Sequence, residues 1–167
     1  GLTGHLVFST LHTNSAWGAI PRLIDMKGEA FLLASTLNIL MAQRLVRKIC
    51  PNCKQETKLP PATEKVIMKE IENIPNQYLS DFASKYSFYK GAGCAYCGKT
   101  GYYSRTVIAE ILEINSEFRD LIASDFTMDN VRAMMKKQGF VTLMQDGIIK
   151  VLKGITTVEE VMRASQS

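Results

Sequence analysis

The four cysteines of the sequence form two pairs with the same spacing, Cys50 with Cys53 and Cys94 with Cys97. A two-residue spacer lets both thiolates of a pair bind one ion, and two such pairs supply the four sulfur ligands of tetrahedral zinc. Because four protein ligands leave no coordination position open, a site of this kind is structural. We therefore predict a structural zinc site; four unligated thiols, two disulfides and an iron–sulfur cluster are the alternatives.

The segment between the two pairs, residues 54–93, is longer than in ordinary zinc ribbons, so it must be an insert that the metal closes at its base. Residues 64–73 are helical in pattern. Tyr78, Phe82 and Tyr86 are spaced four residues apart, which predicts one face of a second short helix. We interpret these three aromatic side chains as the insert's own small core.

Residues 93–100 match the phosphate-loop pattern G-x-x-x-x-G-K-[ST]. That loop binds phosphate only when a strand precedes it and a helix begins at its Lys-Thr, so that amide N–H groups converge. Here Gly101 and a strand-like segment follow Thr100, and two positions inside the loop are cysteines of the predicted metal site. We interpret the match as a coincidence. A genuine phosphate loop is the alternative, and it requires that this chain itself bind nucleotide.

The two histidines, His5 and His12, stand at either end of the strand-like segment 5–11. In open α/β sheets, ligands bind beyond the carboxyl ends of the strands, so His12 is a candidate for contact with a ligand. The alternative for His12 is a capping or hydrogen-bonded structural histidine. His5 enters the strand at the opposite end, and its position alone indicates a structural residue.

The first half of the chain outside the insert predicts one strand followed by two helices. Residues 15–27 have a helical pattern, with Asn14 as a possible N-cap and Gly28 as the stop. Residues 29–47 are apolar nearly all round, which predicts a buried helix.

After the insert, residues 105–114 return to strand character and the remainder is helical. The predicted helices are 116–124, 129–138, 142–153 and a last one that begins with capping-box spacing at Thr157 and Glu160.

Composition excludes several classes of protein. The chain is 46% hydrophobic, which is enough for a buried core, and its net charge is only +4, with scattered basic residues. This balance argues against nucleic acid or an anionic membrane as the partner. No apolar run reaches the roughly 18 residues of a membrane span. We expect a cytoplasmic protein, and we read the start without Met as lying inside a domain.

Several motifs together resemble the secretion ATPases that power type II secretion and type IV pilus assembly. The resemblance covers essentially the whole chain. It is carried by the "His box" at 3–14, by 42–47 leading into the first cysteine pair, by Gly98-x-x-Gly101-Tyr102 with Arg105 and Glu110, and by 154–161. The tetracysteine insert is typical of the secretion and pilus-extension branch of this family.

The resemblance implies a RecA-like ATPase domain that assembles as a hexamer at the cytoplasmic face of the inner membrane. It implies structural zinc at the four cysteines, ATP and Mg²⁺ in the full-length parent, and His5 and His12 as residues that report the state of the nucleotide. The implied partners are further copies of the protein and an inner-membrane platform protein, with membrane association only through partners and no nucleic acid.

The family's Walker A loop, acidic box and Walker B segment all precede the His box, and this sequence contains none of them. Phosphoryl transfer requires a phosphate cradle and Mg²⁺ ligands, so we expect the chain alone neither to hydrolyse ATP nor to bind it tightly. The predicted fold is α/β. It comprises part of a RecA-like core at 1–48, the zinc insert at 49–101, and a returning strand with a helical C-terminal subdomain at 102–167. The alternative function is a stand-alone zinc-dependent protein-interaction module.

Overall fold

The computed structural model describes residues 2–82, 86–124 and 126–165. Within them the chain is mixed α/β and forms two compact units. The first unit comprises Gly1–Ala42 and Glu110–Phe140, and the second comprises Gln43–Ala109 and Val141–Ser167.

The helices and strands of the described residues are α1 (Ala19–Asp25), α2 (Ala30–Thr36), β1 (Ile39–Ile49), β2 (Lys54–Thr57), α3 (Pro61–Glu72), β3 (Phe88–Gly91), β4 (Tyr102–Glu113), α4 (Ser116–Ser124), α5 (Met128–Lys137), α6 (Leu143–Leu152) and α7 (Val158–Ser165).

Two long strands, β1 and β4, pair with each other, and both run through the two units. The Ile114 N–H donates to the Asn38 carbonyl and the Cys50 N–H donates to the Gly101 carbonyl, each at 2.9 Å. The strands therefore run in opposite directions, and the start of β4 lies beside the end of β1.

The first unit is built around the contact of α2 with α4. Phe118 and Ile122 on α4 are buried, and the Arg119 guanidinium donates to the Ala34 carbonyl and to Asn38 Oδ1, each at 2.8 Å. The bond to Ala34 satisfies a carbonyl group at the end of α2 that the helix itself leaves without a partner.

The second unit has one hydrophobic core to which the insert and the last two helices both contribute. Its buried members are Ile67, Ile71, Ile74, Phe88, Ile148, Ile149, Val151, Leu152, Val158 and Val161. Gly147 lets α6 and α7 approach closely, since a Cβ there would lie 2.3 Å from Val161 Cγ1. The insert thus packs on α6 and α7.

The prediction that the insert carries its own core is wrong. Phe82 and Tyr86 pack against the shared core, whereas Tyr78 is 43% exposed. Of the predicted second helix, the described part forms 3-10 turns at Asn76–Tyr78 and Ser80–Phe82, and residues 83–85 lie outside the described residues. A 3-10 turn has about three residues per turn, so side chains four apart do not share a face.

The prediction of a strand over 5–11 is also wrong. These residues have no regular structure and are largely exposed; Phe8 is 87% exposed. A strand is stable only when a neighbour pairs with its N–H and C=O groups. In the part of the chain that the structure describes, no strand pairs with this segment.

The helix predicted over 29–47 ends at Thr36, and the strand β1 begins at Ile39. An apolar run does not by itself distinguish a buried helix from a strand, and pairing with β4 decides the matter here. The N-cap of α1 is Gly18, so Asn14 does not cap that helix.

The strand predicted over 105–114 and the helices predicted after it are confirmed as β4 and α4 to α7, within a few residues at each end. Gly139 and Gly154 follow α5 and α6 with positive φ angles of 66° and 65°, as expected of helix stops. None of the helices in the described residues combines the length and the apolar character needed to cross a membrane.

Candidate metal centre

The four cysteine sulfur atoms lie together, all within 4.8 Å of one another. The Sγ–Sγ distances are 3.8 Å for Cys50 and Cys94, 3.9 Å for Cys53 and Cys97, and 3.7 Å for Cys94 and Cys97. Tetrahedral zinc with Zn–S bonds of about 2.3 Å requires edges of about 3.8 Å. A disulfide requires an S–S distance of about 2.05 Å, so the disulfide alternative does not fit. The arrangement instead fits one metal ion bound by all four sulfur atoms.

The first cysteine pair is positioned by the end of β1. Cys50 follows Ile49 directly, is fully buried and donates its N–H to the Gly101 carbonyl. A 3-10 turn at Pro51–Cys53 then brings the Cys53 sulfur back toward the Cys50 sulfur. The Cys53 carbonyl accepts from the Ala92 N–H at 2.9 Å, which ties this pair to the second one.

The second pair is positioned by the β2–β3 hairpin. In its antiparallel register Lys54 lies opposite Gly91, so the chain returns beside Cys53 shortly before Cys94. Gly91 and Gly101 have their backbones in close approach, because a Cβ on Gly91 would lie 2.0 Å from the Gly101 carbonyl oxygen. Only glycine fits at this crossing.

Backbone N–H groups donate to two of the sulfur atoms. Cys97 Sγ accepts from Cys94 at 3.2 Å and from Gly101 at 3.3 Å, and Cys53 Sγ accepts from Gly93 at 3.3 Å. The hydrogen bond from the Cys94 N–H, together with that from Gly101, outweighs burial and lowers the pKa of Cys97 to about 6. Burial raises the pKa of Cys53 to about 11. N–H donors of this kind stabilise and orient metal-bound thiolates.

The residues just before Cys50 are paired with the segment that precedes α7. The Ile49 N–H donates to the Ile155 carbonyl at 2.8 Å, and Thr156 Oγ1 donates to the Arg47 carbonyl at 2.7 Å. The Arg47 N–H and its guanidinium both donate to Glu160, at 2.9 and 2.6 Å. Sequence reasoning missed this network and interpreted Glu160 only as part of a capping box. The available signal was helical spacing, since Glu160 stands four residues before Ala164 on the buried face of α7.

Glu160 is an ionised carboxylate within the protein. Burial by itself raises its pKa, but hydrogen bonds from Arg47 and Arg163 outweigh that effect and lower the pKa to about 2. The Arg47 guanidinium also lies 4.1 Å from the centre of the Tyr102 ring, a cation–π contact, and the Tyr102 hydroxyl is 3.0 Å from Thr157 Oγ1.

The segment 93–100 does not have the geometry of a phosphate loop. Lys99 has a φ angle of 63°, and Thr100 Oγ1 donates to the Cys97 carbonyl at 2.7 Å. The strand β4 follows, where a phosphate loop needs a helix N-terminus. This contradicts the phosphate-loop alternative.

The two histidines lie in the first unit, outside regular structure, and both are exposed. His5 Nδ1 is 2.9 Å from Thr3 Oγ1. The structure thus brings the four cysteines into one site in the second unit, and the role of His5 and His12 at a nucleotide stays a prediction.

Comparison with known proteins now decides the family. The family described as type II/IV secretion system protein matches residues 1–163. The chain belongs to this secretion family. The type IV pilus assembly ATPase PilB of Thermus thermophilus is 40% identical over 161 residues, which are 96% of this chain and 17% of that protein.

Two further relatives of this secretion-family chain are similar at comparable levels. The type II secretion system protein E of Klebsiella pneumoniae is 40% identical over 167 residues, 99% of this chain and 30% of the relative. The type IV pilus assembly ATPase TfpB of Acinetobacter baylyi is 37% identical over 165 residues, 97% and 26% respectively. The chain therefore spans less than a third of the length of these relatives.

Proposed function

We propose that this chain is the C-terminal portion of an ATPase that powers type II secretion or type IV pilus assembly, and that its four cysteines hold one structural zinc. The observation that carries the proposal is the family match over residues 1–163, which includes all four cysteines. Relatives named as pilus assembly ATPases support the pilus role, and relatives named as type II secretion system protein E support the secretion role.

The proposed parent protein has a RecA-like domain and works as a hexamer at the cytoplasmic face of the inner membrane, in contact with a platform protein. The chain itself has no Walker A or Walker B segment, and we propose that it does not hydrolyse ATP alone. His12 and His5 would report the state of a nucleotide bound by the remainder of the protein. Zinc bound by Cys50, Cys53, Cys94 and Cys97 would be structural, because four thiolates leave no coordination position for a substrate.

Native mass spectrometry of the purified chain, with and without Mg-ATP, tests the metal and the nucleotide together. We expect a mass increment of one zinc per chain and no bound nucleotide. Cys94→Ser should abolish the increment, whereas Lys99→Ala, at an exposed residue of the same turn, should retain it. Metal-free protein would contradict the zinc site. Bound nucleotide would contradict the view that the missing segments are required.

A chimaera tests the ATPase assignment. The matching segment of the Acinetobacter baylyi relative would be replaced by residues 2–165 of this chain, and ATP turnover would be measured in the assembled protein. We expect hydrolysis to be retained, because the segment supplies the same structural part. A folded chimaera with normal zinc content and no turnover would contradict the proposal and favour a separate zinc-dependent interaction module.

A further inference from the structure

We propose that the segment 154–161 is a clamp on the metal centre, so that metal binding and the packing of α7 form one coupled equilibrium. The clamp would hold both cysteine pairs in place through buried polar contacts. The inference rests on the proposed zinc site and is independent of the ATPase assignment.

The first contact of the clamp is with the strand end that carries Cys50. The Ile49 N–H donates to the Ile155 carbonyl, and the Arg47 carbonyl accepts from Thr156 Oγ1. The clamp therefore holds the backbone on either side of Lys48. Because Cys50 follows directly, the position of Cys50 depends on the clamp.

The second contact reaches the other cysteine pair through Gly101 and Tyr102. Gly101 donates to Cys97 Sγ and accepts from the Cys50 N–H, so it bridges the two pairs. The next residue, Tyr102, is held by Thr157 and lies beneath the Arg47 guanidinium. The segment 154–161 thus contacts residues next to both cysteine pairs.

The third contact is with Lys54, the residue after Cys53. Gly154 has a φ angle of 65°, and a Cβ there would lie 2.2 Å from Lys54 Nζ. The Lys54 ammonium in turn lies 4.4 Å from the centre of the Tyr89 ring. The absence of a side chain at Gly154 lets the clamp lie against the Lys54 side chain at the start of β2.

The polar groups of the clamp are buried and depend on these contacts. Thr156 is fully buried, and Thr157 and Glu160 are each 2% exposed. A buried carboxylate that loses its cationic partner carries a large desolvation cost. If the metal leaves and the cysteine pairs separate, Arg47 and Tyr102 move away, and Glu160 keeps only Arg163 of its own helix as a cationic partner.

The shared hydrophobic core carries the same coupling. Ile67 and Phe88 of the insert pack in one cluster with Ile148 and Val161 of α6 and α7. Metal binding contributes directly to the folding free energy of small metal modules. If metal binding stabilises the packing of α7, the packing of α7 must stabilise metal binding to the same extent. Loosening the clamp must therefore weaken metal retention, and removing the metal must loosen α7.

The first test measures zinc release from the full chain to a chromogenic chelator such as pyridylazoresorcinol. We expect Glu160→Gln to release zinc on the order of ten times faster, the lower end of the effect of changes around metal ligands. Thr156→Val, which keeps every charge, should act in the same direction with a smaller effect. Equal release rates in all three proteins would overturn the proposal.

Two controls separate the clamp from general loss of stability. Glu159→Gln changes an exposed neighbour of the same type and should leave release unchanged. Val131→Ala opens a cavity in the first unit, and it should lower the melting temperature without faster zinc release. If Val131→Ala accelerates release as much as Glu160→Gln, the effect is general stability and the clamp is refuted.

The reciprocal test is hydrogen–deuterium exchange of the unaltered chain with zinc and after metal removal. We expect faster exchange at the Ile49 amide and through α7, in addition to the cysteine turns. Exchange that changes only at 50–53 and 94–101 would overturn the coupling. Bound zinc with unchanged release in the clamp variants contradicts the clamp alone, whereas an unaltered chain that never binds zinc contradicts the metal site as well.

Discussion

Arg47 and Glu160 are separated by 113 positions in the sequence, yet the backbone N–H and the guanidinium of Arg47 both donate to the Glu160 carboxylate, at 2.9 and 2.6 Å. Glu160 is almost fully buried, while 48% of the Arg47 side chain is exposed. Arg163 donates to the same carboxylate from one turn farther along α7. The strand that delivers the first cysteine is therefore joined to the last helix by a buried charge.

This carboxylate predicts an acid dependence of stability. The pKa of Glu160 is lowered from 4.5 to about 2 in the folded chain. A lowered pKa means that the stabilisation is complete above about pH 4.5 and is lost as the pH falls toward 2. At about 1.4 kcal/mol per pKa unit, the loss is at most about 3.5 kcal/mol.

Denaturant unfolding between pH 2 and pH 7 measures this dependence. Protonation of the cysteines also acts in this range, so the informative quantity is the difference between the unaltered chain and Glu160→Gln. We expect that difference to be largest at neutral pH and to shrink below about pH 4.5. Parallel curves for the two proteins would show that Glu160 does not titrate as described.

Gly147 predicts a steric effect in the second core. Gly147→Ala places a Cβ 2.3 Å from Val161 Cγ1, so α6 and α7 must separate slightly. We expect a loss of about 1–3 kcal/mol in unfolding free energy, typical of overpacking. The double variant with Val161→Ala should cost less than the sum of the single variants. Strict additivity would mean that the two side chains do not meet.

Gly91 and Gly98 offer a matched pair in the metal module. Gly91→Ala sets a Cβ against the backbone of Gly101, which cannot yield without moving the second cysteine pair, so we expect lower zinc content. Gly98 has open space around a Cβ but a φ angle of 59°, and Gly98→Ala should cost only about 1 kcal/mol of backbone strain. Metal analysis should show lower zinc content in Gly91→Ala only. An equal loss in both variants would mean that backbone strain, and not the steric contact with Gly101, causes the loss of zinc.

His12 predicts a change in turnover rather than in folding. In the longer ATPase that we propose, His12→Ala should lower the rate of ATP hydrolysis, because the side chain would report the nucleotide state. Its exposure in this chain predicts an unchanged melting temperature. Turnover equal to that of the unaltered protein would refute the sensor role of His12.

Each cysteine pair was predictable from sequence because its geometry is local. A C-x-x-C spacing brings two sulfurs together within one turn, and the glycines near the second pair supply the positive φ angles that the turn requires. The helices from residue 116 onward were also predictable, since their caps and stops lie within a few residues of each end.

Other features depended on partners that are distant in the sequence. Residues 39–47 are apolar enough for a buried helix, but pairing with β4 makes them a strand. Segment 5–11 has strand character without a paired neighbour in the described residues and is therefore exposed. Phe82 and Tyr86 of the insert pack against a core that also contains residues of α6 and α7.

The sequence by itself determined the two cysteine pairs, the turns that present them and the caps of the later helices, because covalent spacing and φ preference act within a few residues. Only the tertiary structure decided that β1 pairs with β4, that the insert shares a core with α6 and α7, and that Glu160 is buried against Arg47. Backbone hydrogen bonds and buried side chains find their partners among residues that are close in space. The position of a residue along the chain does not specify which residues those are.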